Sequence, residues 1–375
     1  MELPREGENP YEAAKEVLAD WLEKGIVKCD DEEAFYIYEI EFAVDGKSMK
    51  ISGLVAAVQL EEFSKGIVLP HEQTLSKAKE DRLNLMKATG CNFSQIYSLY
   101  IDGGKVASLC DAQKKKTPVV ETTDYQGLIH RLWIVTDKEF ISEVQKSFED
   151  KKLYIADGHH RYETAINYRN YLRENGKAKP GDGCDNIMMF LADMEQDGLV
   201  VLPTHRIVRD LERFDRDELL LKCQEYFEIT KSVSEEDAKK ALDDAYKAQK
   251  IGFVLYSEYG FDVLISKVDA VPESMENGSE ALRGLDVSIL HTLILERLMG
   301  IDKENMAKQI NLTYTRSDEE AISEVNSKKA QCAFLLNPTR VEEIKNVALA
   351  GEKMPQKSTY FYPKLITGLT MNKLD

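Results

Sequence analysis

The spacing of apolar and polar positions gives this chain alternating helical and extended periods. From Asn9 to Lys24 the apolar residues recur at helical intervals and predict an amphipathic helix. Phe35-Tyr-Ile-Tyr-Glu-Ile-Glu-Phe and Lys50-Ile-Ser-Gly-Leu-Val-Ala-Ala-Val are rich in aromatic and β-branched residues and predict a strand pair turned at Asp45-Gly46. Val68-Leu-Pro-His-Glu-Gln-Thr reads as a loop leading into a charged helix from Ser76 to Thr89, stopped by Gly90. A strand from Ser94 to Ile101 then runs into Asp102-Gly-Gly, whose composition predicts a hairpin rather than a phosphate loop.

Between Leu132 and Ile207 the period switches repeatedly. The pattern predicts a strand from Leu132 to Val135, a helix from Asp137 to Glu149, a strand from Leu153 to Ala156, and a helix from Arg161 to Asn175. A Gly/Pro-rich loop and a strand from Ile187 to Asp193 follow. Strands alternating with helices predict an α/β fold with a partly parallel sheet. Farther on, the chain predicts a helix from Ser234 to Gln249, strands at Ile251-Gly-Phe-Val-Leu-Tyr and Phe261-Asp-Val-Leu-Ile, and an amphipathic helix from Val287 to Leu298. The tail predicts a strand at Ala333-Phe-Leu-Leu, a helix from Val341 to Leu349, and a last loop held extended between Pro355 and Pro363.

A length of 375 residues with 43% hydrophobic content is enough for two or three cores. No run of about 18 apolar residues occurs, and Met1-Glu-Leu-Pro-Arg-Glu-Gly has no apolar stretch. The sequence therefore predicts neither a membrane span nor a signal peptide, and a cytoplasmic location. Cys29, Cys91, Cys110, Cys184, Cys223 and Cys332 lie far apart without a Cys-x-x-Cys pair, which argues against a zinc ribbon, an iron–sulfur site or a disulfide scaffold. A formal charge of −17 makes nucleic acid an unfavourable partner while leaving room for a local basic pocket.

The densest chemistry lies in Leu153-Tyr-Ile-Ala-Asp-Gly-His-His-Arg-Tyr-Glu-Thr-Ala. A short strand passes through Asp157-Gly158 into a helix opened by His159, His160 and Arg161. Unpaired N–H groups and the positive end of the dipole make such a helix start an anion site, with phosphate the first candidate. Cations there oppose the dipole by about 0.3–1 kcal/mol each, so something must offset them, and a bound phosphate would. The alternative is a capped helix start whose polar residues face water. His160 with Glu163, and His159 with Glu163, also share a helical face, which keeps a metal reading open.

Pro70-His71-Glu72-Gln73-Thr74 is either a helix cap through Thr74 or Ser76, or a carboxylate beside an imidazole suited to general-base work. Thr204-His205-Arg206 follows an apolar run and either supplies a further phosphate donor, Arg206, or lies in a surface loop. Lys357-Ser358-Thr359, among Tyr360, Phe361 and Tyr362, either binds a carboxylate or phosphate or belongs to a terminal segment that packs its aromatics inward.

Pro70-His-Glu-Gln, Ile155-Ala-Asp-Gly-His-His-Arg-Tyr and Pro355-Gln-Lys-Ser-Thr, in this order, resemble the ParB-like free-serine kinases, which phosphorylate L-serine with a nucleotide donor. Over nearly its full length the chain is more similar to the bacterial domain-of-unknown-function family labelled SpoOJ/ParA/ParB/RepB, with Ala-Asp-Gly-His-His-Arg-Tyr-Glu-Thr-Ala and Met-Pro-x-Lys-Ser-Thr-Tyr-Phe-Tyr-Pro-Lys as its motifs. The resemblance implies an α/β fold with a ParB/sulfiredoxin-like core and an additional C-terminal α/β lobe. Residues 1–215 would form the nucleotide-binding region, with an insertion around 90–150, and residues 216–375 the substrate lobe. It implies a kinase of a small hydroxyl compound, best guess L-serine, using ADP or ATP with Mg²⁺. Glu72 would be the general base, with His71 and Asp157 completing the catalytic set. Asp157, Gly158, His159, His160, Arg161 and Arg206 would hold the nucleotide phosphates, and Lys357, Ser358 and Thr359 the substrate. No resident metal ligand is implied. Two other functions use the same residues: a ParB-like nucleotide-binding switch without catalysis, and a metal-dependent hydrolase built on His71, His159, His160 and His205.

Overall fold

The computed structural model describes residues 9–44, 46–72, 76–267 and 278–374. Asp45, Gln73, Thr74 and the side chain of Ser76, invoked above for a turn and a helix cap, lie outside the described residues. The chain forms a mixed α/β protein of two compact units: residues 1–70, 74–200 and 363–375 make the first, residues 71–73 and 201–362 the second.

The first unit opens with α1 (Pro10–Glu23), capped where Asn9 Oδ1 accepts from the N–H groups of Tyr11 and Glu12. Strands β1 (Phe35–Val44) and β2 (Lys47–Gln59) pair antiparallel, in register from Tyr36–Val55 to Val44–Lys47. There follow β3 (Val68–Leu69), α2 (Ser76–Thr89), β4 (Cys91–Asn92), β5 (Ile96–Tyr100), α3 (Lys105–Gln113), β6 (Val120–Thr123), β7 (Ile129–Val135), α4 (Lys138–Phe148), β8 (Leu153–Asp157), α5 (His159–Glu174) and β9 (Asn186–Asp193). Eight strands form one sheet in the order β3-β8-β5-β9-β2-β1-β7-β6, parallel at β3/β8 and β5/β9 and antiparallel elsewhere. Ile37, Leu54, Ile96, Ile155, Met189 and Leu191 from its strands bury against Tyr162, Ile166 and Tyr168 of α5.

One expectation for this unit is corrected. Asp102-Gly-Gly does not close a hairpin: the Asp102 carboxylate accepts from the backbone N–H groups of Lys105 and Val106 at 3.0 Å each and so starts α3. A capping carboxylate two positions before Gly104 satisfies orphan helix donors, a use of Asp that composition does not separate from a turn. Helix α5 starts at His159, as the Asp157-Gly158 turn predicts and two residues before the start that apolar periodicity alone gives.

The second unit continues from β10 (Val200–Val201) through β11 (His205–Val208), α6 (Arg216–Cys223), β12 (Phe227–Val233), α7 (Glu235–Lys247), β13 (Gly252–Ser257) and β14 (Gly260–Ser266). After α8 (Glu280–Arg283) and α9 (Asp286–Ile289) the chain stays helical with π geometry over Leu290–Leu298. The remaining elements are α10 (Lys303–Lys308), β15 (Leu312–Thr315), α11 (Asp318–Asn326), β16 (Cys332–Leu336), α12 (Val341–Leu349) and β17 (Phe361–Tyr362), which pairs with β10. Six strands make an antiparallel sheet in the order β12-β14-β13-β16-β11-β15. Side-chain alternation feeds two cores: Phe253, Leu255, Phe334 and Leu336 meet Leu290, Leu293 and Ile294, while Val254, Tyr256, Ala333 and Leu335 meet Leu242, Ala321 and Val325. Both faces are buried, which is why β13 and β16 read as continuous apolar runs. The loop after α12 is not extended throughout, since Lys357 takes a left-handed φ of 58° and Ser358 Oγ donates to the Pro355 carbonyl at 2.5 Å.

Candidate functional site

In the first unit, β8 delivers Asp157 to the rim of the sheet and Gly158 turns the chain into α5. Gly158 has φ +102°, and a Cβ there would lie 3.0 Å from Nε and Nη2 of Arg161. Both facts require glycine, because the guanidinium lies across the turn. Arg161 Nη2 donates to Asp157 Oδ2 at 2.7 Å, and Lys364 Nζ donates to Asp157 Oδ1 at 2.6 Å. The other arm of Arg161 donates to Ser94 Oγ at 3.0 Å and to the Gln95 carbonyl at 2.5 Å. His159 is buried and His160 half-buried on the first turn of α5, where the His160 carbonyl accepts from Thr164 Oγ1 at 2.7 Å. Glu163, considered above as a metal partner of the histidines, is paired with Lys79 at 2.7 Å.

The anion that offsets Arg161 is therefore supplied from within the chain, by Asp157. Two cations, Arg161 and Lys364, donate to this one carboxylate beside the positive end of a helix. Tyr97 lies across from Asp157 on β5; burial, then the Asp157 charge, raises its hydroxyl far above the usual tyrosine range. A shallow depression walled by Leu85, Met86, Phe93 and Ile187 borders Arg161 and Ser94.

In the second unit, the first and third sequence motifs meet. Glu72 forms an isolated parallel bridge with Met354, and the Met354 N–H donates to the His71 carbonyl at 2.8 Å. His71 is 1% exposed, with Nε2 and Thr359 Oγ1 3.0 Å apart and its ring edge-on to Phe361. His71 and Glu72 thus meet Met354 and Thr359, the residues that flank Lys357 and Ser358 in the third motif. The Ser358 carbonyl accepts from Thr339 Oγ1 at 2.8 Å.

Arg206 is not in a surface loop: it sits on β11 and is 1% exposed. Its Nη2 donates to the Lys357 carbonyl at 3.1 Å, Nη1 to the Thr204 carbonyl, and Nε to His291 Nε2 at 3.2 Å, with Tyr314 stacked 5.5 Å away. Burial lowers the Arg206 guanidinium to about 10. Burial, then the charge of Arg206, drives His291 well below the usual imidazole range, so its Nε2 stays free of a proton to accept. His291 reaches this position from the π-helical segment, a distortion that often marks functional sites.

His205, which the hydrolase reading needs, spends Nδ1 on the Leu336 N–H at 3.1 Å and Nε2 on Asp318 at 2.8 Å. Among the described residues no three His, Cys, Asp or Glu side chains converge as a metal site, and no helix is long and apolar enough to cross a membrane.

Sequence reading missed Lys364, Ser94, Gln95 and His291. Lys364 ends the Tyr-Phe-Tyr-Pro-Lys motif and was visible as its last residue. The others had no sequence signal, because a serine, a backbone carbonyl and a lone histidine on an apolar helix are ordinary until packing places them.

The family model described as "Protein of unknown function (DUF1015)" matches residues 1–288. The chain belongs to the DUF1015 family. The match takes in His71, Glu72 and the Asp157–Arg161 turn of this DUF1015 chain and ends before the Lys357-Ser358-Thr359 segment. No curated protein is detectably similar in sequence. Among solved structures, the chain is similar to a free serine kinase in complex with AMP, at 16% identity over 82% of this chain and 86% of that one, TM-score 0.41. A conserved hypothetical protein from Pyrococcus furiosus matches at 16% identity over 84% and 94%, TM-score 0.40. C-terminally truncated SbnI from Staphylococcus aureus matches at 11% identity over 85% of each chain, TM-score 0.40.

Proposed function

We propose that this DUF1015 chain is a nucleotide-dependent phosphotransferase acting on a small hydroxyl compound, with free L-serine the first acceptor to test. The observation that supports it most is the meeting of the first and third motifs, where Glu72, a carboxylate fit to take a hydroxyl proton, bridges Met354 and its neighbour His71 lies against Thr359, in the loop that also carries Lys357. A ParB/sulfiredoxin-like core, nucleotide binding by residues 1–215 and substrate binding by residues 216–375 are parts of the same proposal.

In this reading the Asp157–Arg161 turn takes the nucleotide phosphates on Lys364, Arg161 and the N–H groups of α5, and Glu72 is the base, with His71 fixed beside it by Thr359. Phosphoryl transfer asks mainly for alignment and charge neutralisation, which fixed cations provide. Mg²⁺ supplies further neutralisation when bound with a nucleotide. Asp157 does not fit a dedicated Mg²⁺ ligand as it stands, because both its oxygens accept from cations. The test is incubation of the full chain with ADP, ATP or CTP, Mg²⁺ and L-serine, followed by mass-spectrometric analysis. O-phosphoserine with matching nucleotide loss supports the reading. A nucleotide that binds and stays intact with every hydroxyl compound offered replaces the kinase with a switch.

A further inference from the structure

At Pro363 the chain returns to the first unit, and residues 364–374 are fixed to that unit at several points. Lys364 stands at the head of this segment, with Nζ 2.6 Å from Asp157 Oδ1 in the turn that opens α5. Two residues on, the Ile366 N–H donates to the Tyr38 hydroxyl. Farther along, β18 (Asn372–Lys373) pairs antiparallel with β4, Asn372 opposite Asn92 and Lys373 opposite Cys91. A ladder of two residues is weak by itself, so the groups around it decide how firmly the segment is held. Asn372 Nδ2 donates to Asn92 Oδ1 at 3.0 Å, and the Leu374 N–H donates to the Gly90 carbonyl at 2.8 Å. The Leu374 side chain is buried in the core that also holds Cys184 and Ile187.

Between the head and this anchor lies Thr370, buried, whose Oγ1 accepts from Gln95 Nε2 at 2.8 Å. Gln95 is buried as well, and its backbone carbonyl accepts from Arg161 Nη1 at 2.5 Å. The residue that receives one cation of the turn by its main chain therefore holds, by its amide, the segment that carries the other. Leaving that buried amide without Thr370 is unfavourable, which keeps the segment in place. We propose that residues 364–374 form a strap that delivers Lys364 to the Asp157–Arg161 turn, with Gln95 and Thr370 as its positioning residues. The proposal deepens the phosphotransferase reading and rests on it for the phosphate that Lys364 meets there. A lysine stem is long and rotamer-rich, and a backbone already fixed behind it leaves only the stem to be ordered when a phosphate binds.

Amine labelling of the full chain, read at Lys364 by peptide mass spectrometry, tests the strap without any nucleotide. Thr370→Val keeps the shape and removes the acceptor, so Lys364 should label about 2–10-fold faster, the factor that one buried hydrogen bond gives. Thr370→Ser should label as the parent does. Asn372→Ala loosens the same segment at its bond to Asn92 and should act in the same direction, which keeps the test decisive if the valine variant does not fold. Titration with ADP and ATP then reads the consequence. Thr370→Val should weaken the nucleotide by up to about tenfold in the parent and have no further effect in a Lys364→Met background, a dependence that a general loss of structure would not show. Parent-like labelling of Lys364 in both folded strap variants overturns the proposal. The two readings fail separately. Faster labelling with nucleotide affinity untouched, in these variants and in Lys364→Met, keeps the strap and removes Lys364 from nucleotide binding. A nucleotide weakened by Lys364→Met, with parent-like labelling in the strap variants, removes the strap and keeps the nucleotide site.

Discussion

His71 and Thr359 stand 288 positions apart in sequence, and Nε2 of one lies 3.0 Å from Oγ1 of the other. The hydroxyl fixes a buried imidazole next to Glu72, so it acts on the site through position. Thr359→Val keeps the shape and removes the partner, and should destabilise the chain by about 1 kcal/mol. Thr359→Ser should restore both stability and turnover. Chemical unfolding of the three proteins checks the first expectation, and equal stability of the valine variant would remove the hydrogen bond from the account.

Glu72→Gln keeps the size of the side chain and its bridge to Met354 while taking away the carboxylate proposed as the base. Turnover should fall by about 10²–10⁴ with nucleotide affinity unchanged. A loss of nucleotide binding in a folded E72Q protein would contradict the base assignment.

Gly158 is constrained twice, by a φ of +102° and by the Arg161 guanidinium lying over it. Gly158→Ala should cost about 1–2 kcal/mol of stability and, by pushing Arg161 off Asp157, weaken nucleotide binding as well. Arg161→Ala should weaken the nucleotide without the backbone strain. Denaturant unfolding together with nucleotide titration separates the two. If R161A binds every nucleotide as the parent does, phosphate recognition does not belong to this turn.

Much of the fold was legible because local rules and tertiary structure agree. The sequence pattern begins helices at Asn9, Asp137 and Ser234, and these residues cap α1, α4 and α7. Asp102-Gly-Gly was misread because the same residues make turns and start helices. What distinguishes them is the apolar face of α3, where Val106 and Cys110 are buried. The three motifs were visible as chemistry, and the pairing of the first with the third was not, since no local rule links Glu72 to Met354. Arg206 shows a second limit. Its charge suggested a solvent-facing ligand, yet β11 carries it into the core, where carbonyls and a neutral histidine receive its donors.

Asp286 gives a pH dependence whose sign follows from its surroundings. Its carboxyl is raised from 3.8 to about 7 by burial and by Glu343, with Arg340 and the N–H groups of Gly252 and Asp286 itself acting in the opposite direction. Between these values the folded chain holds a proton that the unfolded chain has released. This contribution to stability is therefore full below about pH 4, declines as pH rises, and is gone above about pH 7. Asp286→Asn cannot ionise and lacks that decline, so relative to the parent it should be more stable at pH 8 than it is at pH 5. Urea unfolding of both proteins at the two pH values measures the difference. A constant offset between them would show that Asp286 titrates alike in the folded and unfolded chains.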